Sequence, residues 1–180
     1  GLRSDWYVLV STGDNGVPYA LSGIAGDLRN LSRLGHGIGL HGSAPSYLEP
    51  ARLVREKALL EEALGGPVAA VRQHNLSLDG PRTWASQARA GFAVDASLGF
   101  NQVAGWRSGC SHPILDPSGS LVLLSLTAMD GVLLTQGGAE TRIRAFLETA
   151  RRGEGLAAFD WHGQGTDGRD YPGYLEVYER

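Results

Sequence analysis

The chain has 180 residues, 42% hydrophobic and 19% charged, the balance of an ordinary globular domain with a substantial core. Its net charge of −3 is small and of the wrong sign for a nucleic-acid surface, and no apolar run approaches the roughly 20 residues of a membrane-spanning helix. Cys110 is the sole cysteine, which excludes an intramolecular disulfide. Localisation and oligomeric state are not written in these properties.

An apolar run over residues 6–11 predicts a buried strand almost at the first residue, which implies further sequence upstream. A helix is expected over 21–34, stopped at Gly35, and a short strand over 37–41. The clearest helix covers 49–64. Leu53, Leu60 and Leu64 fall on one face, with Arg52, Arg55, Glu56 and Glu62 elsewhere. Pro50 suits its first turn, and Gly65, Gly66 and Pro67 end it. Strands are then expected over 68–72, 121–126 and 156–161, with a minor one over 93–95. Helices are expected over 81–90, 140–151 and 173–179. Apolar runs alternating with helices predict one α/β domain over 1–180 with mostly parallel strands.

Polar residues follow these runs: His41, then Arg72, Gln73 and His74, then Asp130, then His162. Residues at the C-terminal ends of parallel strands converge on one mouth of a barrel or sheet, where sites form. His41 is either a metal ligand or a hydrogen-bonded loop histidine. His36, at a helix end, reads as structural. Arg72 can hold a carboxylate through two parallel hydrogen bonds, and His74 can bind metal or substrate, or the cluster is a surface turn. Asp95 with Ser97 is equally a turn pattern. In the polar loop over 106–113, Trp106 can stack on a sugar ring and Arg107 can bind a carboxylate. Cys110 reads as inert, because no local base accompanies it. His162 suits a general acid or base. Asp160, two residues before it, points to the same face of a strand, so a coupled pair is possible.

Taken together, GHGIGLH over 35–41, VRQH over 71–74, AGFAVDASL over 90–98 and FDWH over 159–162 resemble, in order, the motifs of the polysaccharide deacetylases. These are the NodB-like superfamily, carbohydrate esterase family 4 and its relatives. The series GLH, RQH, SLGF, WRSGC, MDG and WH is most similar to a bacterial subgroup of deacetylase-like proteins. The resemblance implies a distorted, incomplete (β/α) barrel, here lacking its first strand. It implies a divalent metal, zinc as a rule, that polarises an acetyl carbonyl, with acetate leaving an N-acetylated carbohydrate. His162 would protonate the leaving amine, with Arg72 and Asp95 in the catalytic set. His41 and His74 would bind the metal, and Trp106, Arg107, Trp161 and Tyr47 would line the sugar groove. Two departures stand out. The family's Asp-Asp motif belongs to a strand before residue 1. Pro45 stands where a second metal histidine is expected, and His74 is the candidate replacement. A non-catalytic sugar-binding domain and another metal-assisted amide or ester hydrolase are the alternative readings.

Overall fold

The computed structural model describes residues 3–10, 17, 19–163 and 174–179. Strands β1 (Asp5–Leu9), β2 (Gly37–Gly42), β3 (Ala70–Gln73) and β4 (Val94–Leu98) alternate with helices α1 (Leu21–Arg33), α2 (Pro50–Leu64) and α3 (Pro81–Arg89). Then come β5 (Ile114–Leu115), β6 (Val122–Met129), α4 (Asp130–Thr135), α5 (Ala139–Arg152), β7 (Ala158–Asp160) and α6 (Tyr174–Tyr178). The hydrogen-bonded order is linear, β1-β2-β3-β4-β6-β5, with β7 joined to β6. The alternating α/β architecture matches the expectation. Ser11, placed in the first expected strand, and Gly173, placed in the last expected helix, lie outside the described residues. The chain forms two units, Gly1–Ser97 with Leu115–Leu123, and Leu98–Ile114 with Leu124–Arg180.

In the first unit β1, β2, β3 and β4 pair in parallel. Such strands are buried on both faces and read as short apolar runs. Leu40 and Val71 accordingly have no exposure, and α2 adds Leu53 and Leu60, also fully buried. Pro50 opens α2, and Gly65 closes it in the left-handed region at φ 74°, where a side chain would be strained. The sequence reading put Glu56 on the polar side of this helix, and the structure corrects that. Glu56 is fully buried, because its carboxylate accepts hydrogen bonds from the backbone N–H (3.1 Å) and hydroxyl of Ser43, just beyond β2. A buried carboxylate survives only with such partners.

In the second unit β6 and β7 run parallel, with an irregularity between Leu126 and Ala128. Thr127 is the extra residue, and its hydroxyl accepts the Ala158 N–H at 3.0 Å. Ala128, Leu133 and Ala139 form a buried cluster, against which Ile143, Phe159, Trp161 and Val177 pack. The six-residue α4 and two-residue β5 are too short to leave a periodic signal in the sequence.

Candidate functional site

In the first unit His41 lies near the end of β2, in register with Arg72 of β3. His74 opens a single 3-10 turn directly after β3. In that turn Asn75 and Leu76 both take positive φ, 54° and 53°, which non-glycine residues adopt at a cost. The two histidines meet, His41 Nε2 lying 3.1 Å from His74 Nδ1, with the rings edge to face. Zinc–nitrogen bonds of about 2.0–2.1 Å put two nitrogens on one tetrahedral ion about 3.3 Å apart. The separation is that of a hydrogen bond between the two rings and is also close to that of two donors to a single divalent metal. A complete site needs at least one more protein ligand. Among the described residues no group of three or more His, Cys, Asp or Glu side chains is placed to hold an ion.

Around this pair the polar side chains brace the strands. Gly42 is required beside His41: a Cβ there would stand 2.3 Å from Gln73 Oε1 and 2.6 Å from Ser46 Oγ, which hydrogen-bond each other at 2.8 Å. Arg72 is buried, donates from Nε to the Ala96 carbonyl at 3.2 Å and lies 4.2 Å over the Tyr7 ring. Asp95 has no exposure at all. Its carboxylate accepts from Ser97 N–H (3.0 Å), Ser97 Oγ (2.7 Å) and Gln87 Nε2 (2.7 Å). Burial pushes its pKa up, and the bonds from Ser97 and Gln87 and the Arg72 charge oppose the rise without cancelling it. Asp95 thus reaches a site only through the residues it braces. Tyr47 is half-buried, and its carbonyl accepts from Thr83 at 3.2 Å. His36 accepts from Ser4 N–H and pairs with Ser4 Oγ at 2.9 Å, a structural contact between the start of β1 and the end of α1.

The second unit holds a different constellation. His162 follows β7, and Asp130 follows β6. His162 Nδ1 lies 2.9 Å from Asp130 Oδ1, and the His162 N–H donates to Asp130 Oδ2 at 2.7 Å. Burial works against ionisation of Asp130. The hydrogen bonds from the His162 ring and backbone, the charge of His162 and the Gly131 N–H outweigh it and hold the carboxyl below its usual range. Tyr174, nearly buried, donates its hydroxyl to the His162 carbonyl at 2.6 Å. Burial, then the nearby Asp130 charge, pushes the Tyr174 phenol up to about 12, so it stays a neutral donor. The imidazole itself remains accessible, its side chain 42% exposed.

His162 and Asp130 line a pocket of about 450 Å³ with Asn101, Gln102, Thr135 and Gln136. Of the residues singled out in the sequence for catalysis or sugar contact, His162 is the one in its wall. Trp106 donates to the Leu156 carbonyl at 2.8 Å and meets Phe146 edge-on. Arg107 donates to the Gly99 carbonyl at 3.2 Å. Trp161 is part of the packing of this unit, edge to face with Tyr174 and Tyr178. Asp130, which the sequence placed after a strand without a role, is the partner of the His162 ring. Its signal was its position one residue beyond a long apolar strand.

No protein-family model matches the sequence, and no curated protein matches it. Solved structures do. A protein of Mycobacterium smegmatis assigned as a polysaccharide deacetylase superposes with TM-score 0.56 and 21% identity, over 86% of this chain and 60% of that one. One of Bordetella bronchiseptica, assigned as a polysaccharide deacetylase of O-antigen biosynthesis, gives TM-score 0.57 and 15% identity over 99% and 72%. Puue allantoinase gives 0.58 and 18% over 89% and 56%. The chain therefore spans about three fifths of the first of these proteins. It has the α/β fold of these solved structures, two assigned as polysaccharide deacetylases and one an allantoinase.

Proposed function

We propose that this fold serves as a hydrolase of the deacetylase type, removing acetyl groups from an N-acetylated carbohydrate, with His162 as general acid. The observation that carries the reading is the Asp130–His162 pair in the wall of a pocket. Asp130 accepts from Nδ1, which fixes the ring, so proton transfer to a leaving group runs through Nε2. Tyr174 holds the His162 backbone, so the ring direction is set before substrate arrives. His41 and His74 are proposed as two donors to a divalent metal, zinc being the ion best suited to imidazole nitrogen. Such an ion supplies polarisation of an acyl carbonyl. Arg72 and Asp95 are proposed to support the first unit's strand ends, and in the second unit Trp106 and Arg107 are proposed to contact sugar.

A second reading, hydrolysis of a cyclic amide, is favoured by the likeness to the allantoinase. The two separate in one assay of the complete protein. N-acetylglucosamine oligomers are scored for acetate and allantoin for ring opening, each with wild type and His162→Gln. Acetate release that depends on His162 supports the deacetylase reading. Ring opening alone replaces it, and neither activity removes both.

A further inference from the structure

His162 is flanked by a second carboxylate. Asp160 closes β7, and its Oδ2 lies 3.8 Å from His162 Nε2, the nitrogen opposite the one taken by Asp130. Among the described residues, Asp130 lies at Nδ1, Asp160 on the Nε2 side, and the neutral Tyr174 hydroxyl on the backbone carbonyl. At 3.8 Å Asp160 does not accept a hydrogen bond from Nε2. Both side chains reach the surface beside each other, Asp160 18% exposed and His162 42% exposed.

We propose that Asp160 stabilises the nitrogen of the leaving group as that nitrogen gains positive charge, so that the site favours amide over ester bonds. This rests on the reading of His162 as general acid. In the collapse of the water adduct of an acetamide the C–N bond breaks and its electron pair passes to nitrogen. The nitrogen takes the Nε2 proton, leaving a neutral imidazole, and the acetic acid formed ends as acetate while the amine ends as ammonium. Positive charge grows on nitrogen through this step. An alcohol leaving from an ester takes one proton and ends neutral, so a neighbouring carboxylate gives it no comparable assistance. Opposite charges about 4 Å apart near a protein surface interact strongly enough to change a rate about tenfold.

The test is Asp160→Asn in the complete protein, with Asp160→Ser as a second variant in case the amide itself perturbs β7. Acetate release is measured from N-acetylglucosamine oligomers and from O-acetylated xylose oligomers. The expected result is an about tenfold lower kcat on the amide and less than threefold on the ester. In parallel, NMR of the His162 ring follows addition of glucosamine or N-acetylglucosamine. Glucosamine should shift the ring signals in wild type and lose that effect in both variants. Equal loss on amide and ester, or the same glucosamine response in wild type and variants, overturns the proposal. If wild type releases acetate from neither substrate, the deacetylase reading fails, and the glucosamine response alone then decides whether Asp160 receives an amine.

Discussion

The Asp130–His162 pair joins two side chains that lie 32 residues apart in the sequence, each just beyond a strand. General acid–base groups contribute about 10²–10⁴-fold, so His162→Gln is expected to lower kcat by that order. Asp130→Asn keeps the shape and removes the charge, and a smaller loss of about 10–100-fold is expected. The same carboxylate sets a pH dependence. Its folded pKa lies below the unfolded one, so its contribution to stability is present above about pH 3.9 and is lost as pH falls through the folded value. Thermal midpoints measured from pH 7 down to pH 3 should fall more shallowly in Asp130→Asn than in wild type. Asp95 has the opposite sign. Its raised pKa means that its contribution is greatest below the unfolded carboxyl pKa and declines as pH rises through the folded one. His41, His74 and His162 were legible as candidates because histidines directly after apolar runs are conspicuous. Asp130 was named with them but given no role, because a single carboxylate after a strand looks like any helix start. Trp161 read as a sugar platform, and Asp95 as a catalytic residue, because sequence shows residue type but not burial.

Elements decide where those side chains end up. The bulge at Thr127 lets Ala128 pair with Phe159 and Met129 with Asp160, so the residues that follow each strand, Asp130 and His162, come into contact. Thr127 also repairs the ladder by accepting the Ala158 N–H. Thr127→Val removes that acceptor and should cost about 1–3 kcal/mol in denaturant unfolding, whereas Thr127→Ser should keep most of it. In the first unit His74, directly after β3 and just before the strained turn at Asn75 and Leu76, meets His41. The helices and parallel strands were legible because their apolar periodicity and their glycine and proline boundaries agree, as at Pro50 and Gly65. The bulge and the 3-10 turn were not. Each depends on pairing between segments distant in sequence, which leaves no local pattern. Glu56 shows the same limit, since its place on the helix wheel did not announce the Ser43 hydroxyl waiting for it.

For the whole molecule, the ordered series of short motifs led to the α/β fold that the solved structures share at 15% to 21% identity. That agreement has a physical basis. A parallel sheet with helical crossovers restricts where polar residues can sit, so strand ends keep their spacing after most other positions have changed. The proposed metal site is tested at this scale too. His74→Ala in the complete protein should lower bound zinc, measured by elemental analysis after dialysis, and unchanged stoichiometry would remove His74 from the ligand set. The central claim is that an Asp130-backed His162 protonates the amine leaving an N-acetylated sugar. Its most direct test is acetate release from N-acetylglucosamine oligomers by the complete protein, compared across wild type, Asp130→Asn and His162→Gln. The account predicts steady release by wild type, reduced in Asp130→Asn and lowest in His162→Gln. Release by His162→Gln at the wild-type rate would contradict it.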